Sequence, residues 1–193
     1  MPRTEQQFAA IREKSKAKFL RTALELFANY GYHSTSISQI AKSAGVAKGS
    51  LYHYFESKEQ LLEAVFMQGL NELDGLFEEI DMEAAPEDKL TQLLDLSISS
   101  LQKEKHFWQL YFALITQMKL PEVLRKRLQP VMNEMFTFFN ILFQELGAEE
   151  PESEAKLLAA TFDGICLHYL MMGEEYPLEK VKEKLLGMYI GKR

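Results

Sequence analysis

Cysteine is almost missing: Cys166 stands alone among 193 residues. That excludes a disulfide within the chain and any metal site built from several thiolates. It also favours a reducing compartment. Long apolar runs are missing as well. No stretch of about 18 apolar residues occurs, so no helix is expected to span a membrane. The opening MPRTEQQFAAIREKSKAKF lacks the apolar core of a signal peptide. A cytoplasmic protein is the expectation. Strict apolar/polar alternation never runs far enough for a convincing strand. There is no internal repeat and no low-complexity tract. No nucleophile–base pair, metal-ligand spacing or phosphate-cradling loop emerges, so an enzyme would have no recognisable centre. No cofactor and no metal are expected. Cys166 and His168 lie near Met171 and Met172, but residues two apart on a helix do not converge on one ion.

What is present is apolar and unevenly charged. Hydrophobic residues make up 47% of the chain, enough for a sizeable core. The net charge is −6. Residues 1–60 hold nine Lys/Arg against five Asp/Glu, or +4; the remainder holds 13 against 23, or −10. A basic binding head on an acidic body fits that asymmetry.

The apolar spacing is helical almost throughout. Leu20, Ala23, Leu24 and Phe27 share a face, and Gly31 follows as a C-terminal cap. Ser36-Ile37-Ser38-Gln39 is a capping box. Ile37, Ile40, Ala41 and Ala44 then make one face of a short helix that Gly45 ends. Another short helix is predicted from Lys48 to about Phe55. Ser57-Lys58-Glu59-Gln60 is a second capping box, opening a long helix that carries Leu62, Val65, Phe66, Leu73, Phe77 and Ile80. Pro86, Pro121, Pro151 and Pro177 each mark a possible helix start. Gly147 and Gly173 mark possible ends. The fold class is all-α, with about nine helices. The boundaries read as 1–57 for a head, 58–80 for a connecting helix and 81–193 for a body.

The pair Ile37–Ala44 and Lys48–Phe55, joined at Gly45, is a candidate helix-turn-helix. The first helix braces the second, and the second can lie in the DNA major groove, which admits one helix. Ala41, Ala44 and Ala47 allow close approach. Leu51 and Phe55 should point inward.

Residues 31–58, GYHSTSISQIAKSAGVAKGSLYHYFESK, resemble the DNA-binding signature of the tetracycline-repressor-like (TetR) family of transcriptional regulators. The matching features are Thr35 with Ile40-Ala41, Ala44-Gly45-Val46, Gly49-Ser50, Leu51-Tyr52-x-Tyr54-Phe55 and Ser57-Lys58. The resemblance spans about residues 10–65. It implies that Ser36, Ser50, Tyr52, Tyr54 and Lys58 contact phosphates. It implies that Ser38, Lys48, Gly49 and His53 face the groove. The chemistry agrees: tyrosine hydroxyls donate to phosphate oxygens, and lysine can reach a guanine edge. Lys14, Lys16, Lys18 and Arg21 could form an arm, add phosphate contacts, or be a solvated face.

The resemblance also implies a body that binds a small effector and pairs with a second copy. Candidate pocket residues are Phe107, Trp108, Tyr111, Phe112, Met118, Met132, Met135, Phe136, Phe139 and Phe143. Thioethers and aromatic faces line adaptable cavities well, although the same stripes also suit ordinary core. His106, Gln109, Gln117, Asn133, Asp163 and His168 are possible polar anchors. Sparse charge among the rings favours a small, mostly apolar ligand. The last two helices, about 152–171 and 178–190, carry apolar residues on more than one face. A homodimer through these two helices would set two heads on a pseudo-palindromic site in double-stranded DNA. A helical enzyme and a lipophilic-ligand carrier without DNA function are the competing classes. The tyrosine-bearing short helix in a basic head argues against both.

Overall fold

Proline and glycine punctuate the chain, and the helices follow that punctuation. The computed structural model describes residues 5–117 and 121–190. Within them lie nine α-helices: α1 (Glu5–Tyr30), α2 (Ile37–Ser43), α3 (Lys48–Tyr52), α4 (Lys58–Glu78), α5 (Pro86–Lys103), α6 (Lys105–Gln117), α7 (Glu122–Glu145), α8 (Pro151–Met172) and α9 (Leu178–Tyr189). A single 3₁₀ turn, Gly173–Glu175, separates the last two. The all-α expectation is met. Pro86 and Pro151 open α5 and α8, where the missing N–H costs nothing.

Gly45 and Gly147 show why glycine ends these helices. Their φ angles are +68° and +76°, in the left-handed region. At Gly45 the chain turns so that Val46 N–H reaches Ala41 O at 3.0 Å and Gly45 N–H reaches Lys42 O at 3.0 Å. Gly147 and Ala148 close α7 the same way, on Gln144 O and Phe143 O. Carbonyls that would otherwise be orphaned are thereby satisfied.

One element differs from its sequence pattern, and one that follows it does so across a proline. α3 stops at Tyr52, short of the predicted Phe55. Phe55 N–H still bonds Leu51 O at 3.1 Å, so the turn closes and the chain then extends to seat Phe55 in the core. α7 runs through Pro130 without ending. That proline removes one i→i−4 bond; the buried face before and after it, Leu124, Leu128, Phe139 and Leu142, carries the helix across.

The chain divides into two compact units. The first comprises Met1–Gly69 with Leu110–Pro121, and the second Leu70–Gln109 with Glu122–Arg193, so the division passes through α4 and α6. In the first, Phe19, Ala23, Leu24 and Phe27 of α1 meet Ile37, Ile40 and Ala41 of α2 and Leu51 of α3, all buried. Burying each large side chain contributes about 1.5–3 kcal/mol. Thr35 is also buried, its hydroxyl within bonding distance of the carbonyls of Leu26 (3.2 Å) and Gly31 (2.9 Å) at the end of α1. In the second unit, α5 lays Leu90, Leu93, Leu94, Ile98 and Leu101 into the core beside Leu142 and Phe143 of α7, Leu158 and Ile165 of α8 and Leu185 of α9. Ion pairs pin α5 in its first turn and at its middle: Lys89 to Glu145 at 3.0 Å and Lys182 to Asp95 at 2.7 Å.

Candidate nucleic-acid interface and effector pocket

α2 and α3 form the compact pair that the sequence pattern called for. The Ser36 capping box is complete: Gln39 N–H donates to Ser36 Oγ at 3.2 Å, and Ser36 N–H donates to Gln39 Oε1 at 2.7 Å. The second box is skewed by one residue. Gln60 N–H donates to Ser57 Oγ at 3.1 Å, but the Gln60 side chain accepts from Glu56 rather than from Ser57.

The predicted contact residues divide by what holds them. Leu51 and Phe55 are buried, as their spacing requires. Ser36, Ser38, Lys48, Gly49, Tyr52 and His53 are exposed, and Ser50 and Tyr54 are half-buried. Lys48 begins α3, and its ammonium lies 5.7 Å from the centre of the Tyr52 ring. Tyr52 itself is 44% exposed, unusual for a ring of its size in a helix with a buried side. At Gly49 a Cβ would meet no atom of the chain within 4 Å. Nothing inside the protein therefore calls for glycine there. An empty position beside exposed Lys48 and Tyr52 leaves room for an outside surface to come close to the backbone.

Lys58 is held differently. Its Nζ donates to Tyr32 O and Thr35 O, both at 2.8 Å, and sits 4.2 Å from the Tyr32 ring centre. It clamps the loop that delivers Ser36 to α2. Tyr32 donates its hydroxyl to Glu59 at 3.1 Å. Glu59 is held below the usual carboxylate range, first by its own backbone N–H at the start of α4 and then by Tyr32. Burial, with help from Glu59, pushes the Tyr32 hydroxyl above its ordinary value. The capping pattern revealed the start of α4 but not this clamp, because the partners of Lys58 are backbone carbonyls more than twenty residues earlier.

One side chain outside the candidate set also reaches this surface. Arg12, on α1, places its guanidinium 5.8 Å from the Tyr54 ring centre. Phe19 meets the same ring edge-on at 5.1 Å.

The second unit contains a partly open cavity of about 160 Å³, lined by Leu70, Phe77, Val131, Met132, Glu134, Met135 and Phe138. Of the candidate ligand residues, Met132 and Met135 line it. Phe136 and Phe139 stand in the adjoining ring cluster, where Phe77 packs on Phe138 at 5.0 Å and on Phe139 at 6.0 Å. Phe107 packs edge-on against buried Trp108 at 5.1 Å, and Phe143 packs on Tyr189. Tyr111 belongs to the first unit. Its ring lies against Gly69 so closely that a Cβ there would collide with it, and its hydroxyl reaches Phe66 O at 3.4 Å. Burial pushes that hydroxyl up to about 12. Phe112 is half-buried, also in the first unit. Met118 and the side chain of Gln117 lie outside the described residues. His168 is exposed and stacked on Tyr176. Within the second unit, Phe77, Phe136, Phe138 and Phe139 pack against one another beside the cavity.

Among the polar candidates, Gln109 donates to Leu170 O at 3.2 Å. Cys166 is buried, and its thiol is pushed up to about 12, chiefly by that burial and then by Asp163. On α8 exposed Leu157, Ala160, Leu167 and Met171, the last 74% exposed, line up with half-buried Gly164 in an apolar stripe flanked by exposed Lys156, Asp163 and His168. Among the described residues no group of three or more metal-ligating side chains converges. Nor is any helix long and apolar enough to cross a membrane.

Two family models match successive parts of the chain. Residues 19–65 match the family described as bacterial regulatory proteins of the tetR family. Residues 86–190 match the C-terminal region of BetI-type transcriptional repressors, more than half of the chain. The fatty acid metabolism regulator protein of Bacillus subtilis is 25% identical over 184 residues, 90% of this chain and 92% of that protein. The HTH-type transcriptional repressor KstR2 of Mycolicibacterium smegmatis is 38% identical over 102 residues, 52% of this chain and 48% of its own. The structure of FadR from Bacillus subtilis in complex with stearoyl-CoA superposes with a TM-score of 0.69 at 23% identity, covering 91% of this chain and 97% of that one.

Proposed function

We infer the function from one premise: the chain belongs to the TetR family of bacterial regulatory proteins and is a DNA-binding transcriptional regulator. We propose that it represses, that it binds a pseudo-palindromic operator as a homodimer, and that a small, mostly apolar effector releases it. Residues 1–57 are assigned to DNA binding, 58–80 to the connection and 81–193 to effector binding and dimerisation. A regulator of bacterial genes works where the DNA is, so the cytoplasm is its place. No catalytic role is assigned to any residue.

The observation that carries the reading is the open face of α3. Lys48 and Tyr52 project outward from a helix whose other side is locked by Leu51, and Gly49 leaves the backbone between them bare. That arrangement suits a helix meant to enter a groove. Ser36, Ser50 and Tyr54 are assigned to phosphates; Ser38 and His53 are assigned to the groove. Lys58 is assigned mainly to the clamp on Tyr32 and Thr35, and its ammonium keeps a third N–H donor for a phosphate.

The apolar outward stripe of α8, with Met188 of α9 47% exposed, supports pairing with a second copy through these helices. Six of the seven residues around the cavity are apolar, which supports a lipophilic effector. An acyl chain is one such ligand, and a relative's complex with stearoyl-CoA supports that class. Effector binding would release DNA by favouring a state in which the two heads are wrongly spaced.

The test is fluorescence anisotropy on duplex DNA from beside the chain's own gene. Lys48→Ala with Tyr52→Phe should weaken binding by about ten- to hundredfold, the loss of one base-edge contact and one phosphate contact. Unchanged affinity would remove the proposed reading face. Native mass spectrometry of the same sample reports the dimer and any apolar passenger.

A further inference from the structure

α1 is longer than its packing requires. It begins at Glu5, yet its first buried side chain among the described residues is Phe19. Residues 9–14 and 16–18 are all exposed, and Ser15 spends its hydroxyl on Ile11 O at 2.8 Å. The match to the family's DNA-binding region also begins only at residue 19. Three turns of helix thus stand ahead of the head with little apolar surface covered. Such a segment gains little from helix propensity alone.

Its charge is opposite to that of the chain. Arg12, Lys14, Lys16 and Lys18 stand against Glu13 over residues 9–18, or +3, in a protein of −6. Its orientation is set by Tyr54, whose ring lies against Arg12 and Phe19, two turns apart on one face. Lys16, four residues after Arg12 and three before Phe19, shares that face. Lys14 and Lys18 point the other way. The basic face that carries Arg12 and Lys16 therefore adjoins Tyr54, at the end of the reading helix.

We propose that this part of α1 is a second DNA-contacting element, with Arg12 and Lys16 engaging phosphates next to those reached from α3. Each head then covers more backbone than its two short helices can. The proposal rests on the DNA-binding reading above. Its occupant is the phosphate backbone, so it adds affinity and salt dependence without base preference.

The experiment compares two double variants with equal charge change: Arg12→Ala/Lys16→Ala on the Tyr54 side and Lys14→Ala/Lys18→Ala on the opposite side. Binding to a duplex of arbitrary sequence is titrated across a salt series, since phosphate contacts do not depend on sequence. The Arg12/Lys16 variant should flatten the slope of log K against log salt by about 1.8 for each head, two phosphates at about 0.9 each. The Lys14/Lys18 variant should retain the wild-type slope. Arg12→Lys should keep most of the Arg12 contribution, because charge and reach survive. Circular dichroism melts of all variants should coincide, the side chains being exposed. Equal slopes for the two double variants would overturn the proposal and leave only a general charge effect. If the wild type binds no duplex even at low salt, the DNA-binding reading fails first.

Discussion

The first unit and the second both bury aromatic rings, but they leave different things outside. In the first, a helix of five residues carries buried Leu51 beside exposed Tyr52 and Lys48, and buried Phe55 follows three residues after its end. The exposed members, Lys48 stacked on Tyr52 and Gly49 between them, fill no space in the core, which is the ground for proposing them as a contact surface. In the second, Phe77, Phe136, Phe138 and Phe139 mostly satisfy one another. Packing accounts for them before any ligand is invoked. A contact surface declares itself by side chains that the fold does not need; a cavity is made from side chains that the fold needs anyway.

The contrast can be attacked most strongly at Leu51. Leu51→Ala should cost the first unit about 2–5 kcal/mol, because a fully buried leucine leaves a void that such short helices cannot collapse around. Urea melts followed by circular dichroism, with apolar-dye uptake by the cavity as a second probe, check it. One coincident transition in both probes would erase the distinction between the units.

Gly69→Ala comes next. The new methyl collides with the Tyr111 ring, and overpacking of this kind costs about 1–3 kcal/mol. Helix propensity works the other way by up to about 1 kcal/mol, so a net loss identifies the collision. Combining it with Tyr111→Leu should recover part of the loss in a double-mutant cycle.

Met132→Trp should barely change the melt, within about 0.5 kcal/mol, because the site is partly exposed. It should nonetheless abolish uptake of a fluorescent fatty acid. Retained uptake would show that this cavity is not the effector site, and would leave the second unit with packing alone.

The smallest effect belongs to the Tyr111 hydroxyl. Its folded pKa of about 12 exceeds the ordinary 10.0, so the folded state holds the proton more tightly. Its contribution is complete below pH 10 and is lost as pH rises towards 12. Tyr111→Phe should change stability at pH 7 by less than about 1 kcal/mol and flatten the fall between pH 10 and 12. An unchanged alkaline profile would mean that the hydroxyl is not held as the structure has it.

Much of the helical frame was legible because its signals are local. Ser36 with Gln39, Gly45 with Val46, and Pro86 or Pro151 at a first turn all act within a few residues. The length of α3 was not, since a tertiary demand, seating Phe55, decides where it stops. The continuity of α7 across Pro130 was legible too, because Leu124, Leu128, Val131, Met135, Phe138 and Leu142 keep helical spacing over about 122–146. Lys58 read as a phosphate contact from position, but its carbonyl partners depend on how the Tyr32–Thr35 loop folds back. In the second unit a list of rings could not say which pairs would satisfy each other. Only Met132 and Met135, flexible and set amid aromatic neighbours, were marked and then met at the cavity wall.

Gly49 has a consequence for how such a molecule diversifies. A glycine within a helix weakens it by about 0.5–1 kcal/mol relative to alanine, and here no neighbour would resist a larger side chain. On the proposed groove contact, substitution at this one codon would alter what the molecule reads without endangering its fold. After gene duplication, two copies could part in target before they differ in anything else.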